Sequence, residues 1–467
     1  MVDLRLKKTK ANLMAALMVA LLCLAWVIYR ASNYSQTFFH ESIQFESTRE
    51  PIVADDHLDY LYVAQKFWSG KTDPTLVSPT PNYAAFLDAY PLRGIGAGTA
   101  MLAIRAISPN PAHWRHNYVL FLVGLSVFAE VLFAFGVAIF FRSTLLFSLA
   151  LVTLDLFQRP IESSASFTTE ALSRAFLPII IGFIFLLFFL NETNRKKCFA
   201  LAWLLFLFSA LFLCLLKVQW WIGLAVAGII LSAWRAYRIV GLGILLSCLL
   251  ICGSVRSINY VNHNGASEFF STSGYLAAWY SRGPEIWNLG CAQNRFPQEA
   301  RPFLCDERIR ANYVNWGIAE VIPAAAAAQL GAELSRLNMA VMIQHPLTTA
   351  RVGLRQFWGM CKYMSYPPDL PRGARLPIRT VLQLLGLCGF FLLAWKKSSS
   401  ALVWSSATAL FLVPVALGNL IIPWDFRYIV PIQGLYFSLP ILCLGQFLLE
   451  LYRTLAISVR REGSGAR

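Results

Sequence analysis

The chain has few charged residues for its length, and this scarcity excludes the usual soluble classes. Asp, Glu, Lys and Arg make up 14% of its 467 residues, whereas 57% of the residues are hydrophobic. A typical soluble protein is about 25% charged and about 50% hydrophobic. The hydrophobic residues also fall into runs of roughly 17–24 residues, the length that crosses a bilayer as a helix. The sequence therefore predicts an all-α, multi-pass membrane protein.

Acidic residues are scarcer than basic ones, but the imbalance does not indicate nucleic-acid binding. The chain has 25 acidic and 40 basic residues, for a formal net charge of +15. Most of the positive charge stands beside the ends of hydrophobic runs, where Lys and Arg orient membrane helices. We expect membrane lipids among the partners and no nucleic acid.

The sequence also lacks the spacings that hold a metal. Its ten cysteines include no CxxC pair, and its histidines have no ligand-like spacing. No metal ligand and no certain cofactor are predicted, although the adjacent carboxylates Asp55 and Asp56 leave a divalent cation open as a ligand. Cys291 and Cys305 are expected to bridge if their polar segment faces an oxidising compartment.

Ten hydrophobic segments predict about ten membrane helices. A basic N-terminus precedes the first segment, no small-residue cleavage site follows it, and we interpret it as a signal anchor that starts in the cytoplasm. The run Gly94–Ser108 is short, Gly-rich and interrupted by Arg105, so we expect a helix along the membrane surface. The predicted spans are residues 11–29, 118–141, 143–157, 175–190, 198–216, 218–234, 239–255, 377–395, 400–422 and 428–451.

This topology makes every short cytoplasmic loop basic, as the positive-inside rule requires, and puts both termini in the cytoplasm. It divides the chain into a transmembrane module (1–255) with a first outer catalytic loop (31–117), a mixed extracytoplasmic domain (256–376), and C-terminal helices with a basic tail (377–467). Residues 198–234 would measure roughly 55 Å as one helix, so we predict a tight turn at Lys217–Gln219.

The predicted topology brings several polar residues to the outer face. A charge at the centre of a membrane helix costs about 2.5–3.5 kcal/mol, so charges in or beside spans usually mark a functional cavity. The adjacent pair Asp55-Asp56 opens a helix-like run that closes at Gly70. The candidate site residues are Asp55, Asp56, Asp155, Glu162, Glu170, Lys217, Arg282, Arg427 and Tyr428.

Three of these features together resemble the GT-C superfamily of integral-membrane glycosyltransferases. They are the acidic pair in the first outer loop, the acidic second outer loop (Glu162 and Glu170) and Arg427-Tyr428 before the last span. The superfamily includes protein O-mannosyltransferases, aminoarabinose transferases and arabinofuranosyltransferases. The resemblance implies a GT-C-like fold and an enzyme of the cell envelope. It would move a sugar from a polyprenyl-phosphate donor to a glycan, lipid or protein acceptor on the periplasmic or lumenal face. We expect a bacterial inner (plasma) membrane.

The chemistry of such a transfer assigns a role to each residue. An acceptor hydroxyl attacks the anomeric carbon, a carboxylate takes its proton, and cations hold the departing phosphate. Asp56, or else Asp55, is the expected base. The expected phosphate-binding residues are Lys217, Arg282, Arg427 and Tyr428. Asp155, Glu162 and Glu170 form a second acidic group.

Each assignment has a structural alternative. The Asp pair also fits a helix N-cap, and we expect Asp59 to be a solvated or helix-face residue. Glu162, Glu170 and Asp155 also fit loop-surface or helix-terminal charges. Lys217 and Arg427 also fit interfacial anchors. Trp220 and Trp221 suit an aromatic belt, or contacts with prenyl chain or sugar. We expect Glu130, in mid-span, to hydrogen-bond a neighbouring helix.

Two other functions remain open. One is a membrane transporter or flippase of lipid-linked saccharides, although the two halves contain no matching pair of Gly/Pro-broken spans. The other is a polysaccharide ligase or polymerase, which would be expected to place its key residues in a late loop. Loss of activity on changing Asp55 and Asp56 would indicate the glycosyltransferase, whereas unchanged activity would favour the ligase or polymerase.

Overall fold

A computed structural model of the chain defines the fold over most of the hydrophobic segments. The structure describes residues 21–29, 56–71, 73, 87–88, 94–108, 114–157, 169–263, 265, 269, 284–292, 301–308, 310, 340–363, 381, 384, 388–389, 391–394, 400–421 and 432–465. Over these residues the regular structure is helical and contains no strand.

Thirteen helices are numbered in chain order over this part of the protein, and residues 21–29 form a further helical segment. They are α1 (Asp56–Ser69), α2 (Ile95–Ile107), α3 (Trp114–Phe141), α4 (Thr144–Phe157), α5 (Thr169–Glu192), α6 (Lys196–Leu216), α7 (Trp220–Ser232), α8 (Arg238–Asn262), α9 (Pro284–Ala292), α10 (Arg301–Leu304), α11 (Pro346–Tyr363), α12 (Ser400–Ile421) and α13 (Gln433–Gly465).

Five of the described helices are long and apolar enough to cross a membrane, so the protein is an all-α integral membrane protein. These helices are α3, α5, α6, α8 and α13. Helix α5 is the central one, because 89% of its apolar window is buried inside the protein, compared with 39–44% for the other four. The outer surfaces of those four helices are left for lipid, which needs no polar partner.

Eight of the predicted spans fall on described helices, namely α3 to α8, α12 and α13. The predicted turn at Lys217–Gln219 is confirmed. Helix α6 ends at Leu216, α7 begins at Trp220, and the Trp220 amide donates to the Lys217 carbonyl at 3.2 Å. The turn lets two apolar helices pack side by side where one helix would be too long for the bilayer.

The segment Gly94–Ser108 forms a helix, as predicted, and its glycines let it approach two other helices closely. Its 13 residues span about 20 Å at ~1.5 Å per residue, which is too short to cross a hydrocarbon core of about 30 Å. Gly94 and Gly96 lie against the backbone of Leu215 at the end of α6, and Gly98 lies against the backbone of α1. Helix α2 therefore fills the space between α1 and the end of α6.

An aromatic cluster packs the opposite end of the bundle, where α5 finishes. The rings of Phe141 and Trp404 stack with centroids 5.2 Å apart, and Phe185 meets Trp404 edge-on at 5.4 Å. Phe188, one turn further along α5, contacts Tyr237 at 4.6 Å. These rings join α3, α5 and α12 and the start of α8 at this end, about five turns from Thr169.

Glu130 makes the interhelical hydrogen bond predicted for it. The indole Nε1 of Trp26 donates to Glu130 Oε2 at 3.0 Å, and Glu130 is buried. The bond joins the helical segment 21–29 to the middle of α3. A carboxylate among apolar helices is costly without such a donor, so this buried acid has a structural role.

Replacing Gly98 with Ala is expected to separate α1 from α2. The new methyl group would overlap the Tyr60 carbonyl and come within 2.7 Å of the Ala64 Cβ. Backbone atoms cannot move aside cheaply, so we expect a loss of about 1–3 kcal/mol in stability. Thermal unfolding of the purified protein in detergent measures this loss.

Gly124→Ala is the matched control, because no atom lies within 4 Å of the methyl group it would add to α3. Ala is the better helix former by about 1 kcal/mol, so this variant should match or exceed the wild-type melting temperature. Equal melting temperatures for the two variants would contradict the close approach of α1 and α2.

Candidate functional site

Several helix ends meet at the end of the bundle where α5 begins. Lys217, after the end of α6, reaches Glu170 at the start of α5. Asn262, at the end of α8, donates from Nδ2 to the Val63 carbonyl of α1 at 3.4 Å. Together with the packing of α2 on α1 and α6, these contacts bring α1 to the same end of the bundle as Lys217 and Glu170. We call this region the α5-start end.

An ion pair joins two of the residues that the sequence singled out. The Lys217 ammonium lies 2.5 Å from Glu170 Oε1, and the two side chains are only 17% and 10% exposed. The hydroxyl of Thr169 donates to the other carboxylate oxygen of Glu170 at 3.1 Å. The positive end of the α5 dipole also favours a carboxylate in the first turn. Glu170 is therefore buried and multiply bonded, which excludes the loop-surface alternative, whereas its alternative as a charge at a helix N-terminus is confirmed.

Helix α5 carries more polar residues on the turn after Glu170. Ser173 and Arg174 are both buried, and Arg174 is 3% exposed. The Ser173 hydroxyl has no hydrogen-bond partner among the residues that the structure describes. Residues three and four positions apart share a helix face. Thr169, Glu170, Ser173, Arg174 and Lys217 form what we call the polar cluster.

The two tryptophans after Lys217 lie inside the bundle. Trp220 is almost completely buried, and its indole N–H has no hydrogen-bond partner in the described part of the chain. Trp221 donates from Nε1 to the Cys248 carbonyl at 2.8 Å, which joins α7 to α8. The aromatic-belt prediction is therefore wrong for Trp220, which packs in the core next to Lys217 and is not on a lipid-facing surface.

Helix α1 starts at Asp56 and is buried in its middle part. Residues 59–64 are all buried, because α2 and α8 cover the helix on different sides. Asp59, expected on a solvated face, is 3% exposed, so that prediction is wrong. The sequence signal for this burial is the nearly unbroken apolar run from Tyr60 to Ala64, which is typical of a helix covered on several sides.

Ion pairs and hydrogen bonds also tie α1 to residues 87–88. Asp88 accepts from the Lys66 ammonium at 2.7 Å and from the Tyr62 hydroxyl at 3.1 Å. His263, the residue after α8, contacts the Leu87 carbonyl through Nδ1 at 3.0 Å. Residues 87–88 therefore join α1 to the end of α8.

His263 is held in the neutral form. It is 2% exposed, and its Nε2 has no hydrogen-bond partner among the described residues. Its pKa is lowered to about 4, chiefly by burial and also by the nearby Lys66 ammonium, against opposing effects of the Leu87 carbonyl and Asp88. A neutral ring donates from Nδ1 to Leu87, whereas a second proton on Nε2 would be buried without an acceptor.

The structure does not describe the side chains of the other candidate residues. Asp56 is the first residue of α1 and Asp155 lies near the end of α4, and only their helical backbone is described. The remaining candidates lie outside the described residues; they are Asp55, Glu162, Arg282, Arg427 and Tyr428. The structure thus brings together Glu170 and Lys217 and places the helix of Asp56 at the same end.

No group of three metal-binding side chains occurs within the described part of the chain. Cys291 and Cys305 form the disulfide predicted for them, with Cα atoms 5.7 Å apart. Disulfides persist in oxidising compartments, so this bridge agrees with an extracytoplasmic location for the polar segment.

Comparison of the chain with models of known protein families, with curated proteins and with solved structures finds no match in any of the three.

Sequence reasoning missed Arg174 and His263. Arg174 stands one turn after Glu170, a spacing that puts both on one face of α5. Its position six residues into a hydrophobic helix was a signal that could have been used, because a charge there needs a polar environment. His263 follows an apolar helix directly, but its burial depends on the docking of residues 87–88, which the sequence does not indicate.

Breaking the Glu170–Lys217 pair should destabilise the protein. Glu170→Ala leaves a mostly buried ammonium without its carboxylate. We expect a loss of about 3 kcal/mol, the lower end of the range for buried pairs, because both groups retain some exposure. Unfolding in graded SDS–detergent mixtures measures the change.

The control is the pair between Arg308 and Asp306, whose side chains are 91% and 27% exposed. Asp306→Asn should change stability by less than about 0.5 kcal/mol, as for other surface pairs. If Glu170→Ala lowered the stability no more than Asp306→Asn does, the Glu170–Lys217 pair would have no role in holding the helix ends together.

Stability should fall in acid because of His263. The unfolded side chain binds a proton below about pH 6.5 and the folded one only below about pH 4. The unfolded state therefore holds more protons between these two pH values. Stability then falls as the pH drops through this window and is independent of His263 above it. Melting temperatures from pH 4 to pH 8 should show a smaller acid loss in His263→Asn than in the wild type.

His345→Asn, at a histidine outside this contact, should keep the wild-type slope. Parallel curves for all three proteins would contradict the burial of His263.

Proposed function

We propose that the protein is a membrane glycosyltransferase of GT-C type that transfers a sugar from a polyprenyl-phosphate donor to an acceptor. The observation that carries the proposal is the Glu170–Lys217 pair, set at the bundle end to which the helix of Asp56 is docked. A cation and a carboxylate-bearing helix at one membrane-proximal end are the two parts that this chemistry needs.

The charge balance of the reaction explains why a cation should stand there. A sugar–phosphate–prenyl diester carries one negative charge, whereas the departing prenyl phosphate gains a second as the bond to the sugar breaks. A cation beside the phosphate therefore stabilises the transition state more than the bound donor. Lys217, whose ammonium pairs with Glu170 at this end of the bundle, is the first candidate for this cation. Arg174, one turn from Glu170 on the same face of α5, is a second cation at this end.

Glu170 has a positioning role in this scheme. It holds the Lys217 ammonium in one place. A pre-placed cation needs little reorganisation when charge develops on the phosphate. The contact of Thr169 with the second carboxylate oxygen fixes Glu170 in turn.

The acceptor side of the reaction is assigned to the start of α1. The acceptor hydroxyl oxygen forms the new bond to the anomeric carbon while the bond from that carbon to the phosphate oxygen breaks. The electron pair of the broken bond leaves with the phosphate, and the hydroxyl proton passes to Asp56, or else to Asp55. Atoms and charge balance without a cofactor, and a divalent cation at the Asp pair remains compatible with the scheme.

The proposal includes the placement of the enzyme. The site lies on the outer face of a bacterial inner membrane, with ten spans, a GT-C-like arrangement and cytoplasmic termini. The Cys291–Cys305 bridge supports an extracytoplasmic position for the segment between α8 and α12.

Activity tests the proposal. The purified protein in proteoliposomes is given a panel of polyprenyl-phosphate sugars with a mixture of envelope acceptors, and release of free polyprenyl phosphate is measured by mass spectrometry. With the active donor, Asp56→Asn should lower the rate by about 10²–10⁴-fold, as expected for loss of a general base. Lys217→Met should lower it by about 10²–10³-fold, as for loss of a transition-state donor, and Lys217→Arg should retain more activity than Lys217→Met.

Arg308→Ala is the control cation, because Arg308 is almost fully exposed, and it should keep the wild-type rate. Each variant is compared at equal amounts of folded protein, since Lys217 also supports the bundle. Movement of intact donor lipids across the bilayer without release of polyprenyl phosphate would overturn the proposal in favour of a flippase. Full activity of Asp56→Asn and Asp55→Asn would favour a ligase or polymerase.

A further inference from the structure

Helix α11, together with the residues just before it, has two different sides. Val341 and Val352 are buried, at 3% and 1% exposure, and contact each other. Helix α11 also packs against α12. The side of α11 that carries Val352 is therefore covered by protein, and the question is what covers the opposite side.

The opposite side of α11 exposes large apolar residues in register. Leu347 and Leu354 are 85% and 67% exposed, and their spacing of seven residues places them on one face of α11. Ile343, 70% exposed, adds a large apolar side chain just before the bend at His345 that precedes the helix. Exposed apolar side chains of this size form a patch of the kind that soluble surfaces avoid and that marks a contact with a membrane or a protein.

Two arginines lie beside this apolar patch. Arg351 and Arg355 are exposed, and residues 340–363 contain no Asp or Glu. Arg355 approaches Glu285 of α9 at 3.7 Å, whereas Arg351 makes no ion pair with any residue that the structure describes. An exposed face that is apolar and cationic but has no acid complements a surface of lipid chains and phosphates.

The face of α11 differs from the lipid-facing side of a spanning helix. Helix α8 exposes Leu242, Leu246 and Leu249, and no charged residue occurs between positions 239 and 255. Helix α11 instead has arginines at the level of its exposed leucines. A helix with this mixture is stable at the boundary between hydrocarbon and headgroups, where apolar side chains point into the bilayer and guanidinium groups reach the phosphates.

We propose that α11 is an interfacial helix that binds the surface of an anionic bilayer, with Leu347 and Leu354 in the hydrocarbon boundary and Arg351 on lipid phosphates. The contact with α12, an apolar helix of the bundle, sets α11 beside the membrane. The approach of Arg355 to Glu285 then connects α9, which carries Cys291 of the disulfide, to the same surface. This assignment does not depend on the glycosyltransferase proposal.

Spin labels on the full-length protein in nanodiscs test the position of α11. A keto amino acid replaces Leu347 or Leu354 and is labelled with a nitroxide, so that the native cysteines and the disulfide stay intact. Accessibility to oxygen, which enters the bilayer, is compared with accessibility to a water-soluble nickel chelate. A label at Arg308 is the aqueous reference and a label at Leu246 is the hydrocarbon reference.

Both α11 labels should favour oxygen over nickel, at a depth shallower than the Leu246 label. Nickel accessibility equal to that at Arg308 would overturn the proposal, because the face would then be in water. Immobilised labels protected from both reagents would also overturn it, because a protein partner or a second copy would then cover the face.

A second measurement tests the phosphate contact without labels. Retention of phosphatidylglycerol by the purified protein is followed by native mass spectrometry as phosphatidylcholine is added in competition. Arg351→Gln should weaken the preference for the anionic lipid by about fivefold, the equivalent of roughly 1 kcal/mol per basic residue. Arg308→Gln is the control and should leave the preference unchanged. An equal effect of the two substitutions would contradict a specific role for Arg351.

Discussion

A lysine ammonium and a glutamate carboxylate lie 2.5 Å apart between the start of α5 and the turn that joins α6 to α7. Neither charge would be stable alone at the end of an apolar bundle, because removing an ion from water costs several kcal/mol. As a pair, they fix the position of the α6–α7 hairpin along the axis of the central helix α5. Helix α2 then packs its glycines on the last turn of α6, and α1 packs on α2. The ion pair thus contributes to the placement of the candidate catalytic helix, together with the Asn262–Val63 hydrogen bond between α8 and α1.

The same arrangement joins stability to the proposed chemistry. The polar groups at this end are held by partners from different helices: Lys217 by Glu170, Asp88 by Lys66, and the Val63 carbonyl by Asn262. Such cross-helix contacts hold side chains in fixed positions, which is what stabilisation of a developing charge requires. Removing one of these side chains would therefore change both the fold and the site, so folded protein must be quantified beside activity.

The predictions that succeeded depend on length and hydropathy, and those that failed depend on how helices face one another. The turn at Lys217–Gln219 followed from the limit that bilayer thickness sets on one helix. Glu130 was correctly predicted to bond a neighbouring helix, because a carboxylate in mid-span needs a donor. Asp59 was placed on the wrong side of α1, since its burial comes from α2 and α8, which are distant in sequence. Pairing Glu170 with Lys217 likewise requires knowing which helices are neighbours.

The most direct test is to measure on which face of the membrane the α5-start end lies. Single cysteines replace Lys71, exposed just after α1, and Asn194, exposed between α5 and α6 at the opposite end of the bundle. Cys198 and Cys388, which are also exposed, are changed to Ser in both proteins. Intact cells are treated with a membrane-impermeant maleimide before and after permeabilisation. The account predicts that Lys71→Cys is labelled in intact cells and that Asn194→Cys is labelled only after permeabilisation. Labelling of Asn194→Cys in intact cells with protection of Lys71→Cys would place the polar cluster in the cytoplasm and contradict an outer-face glycosyltransferase.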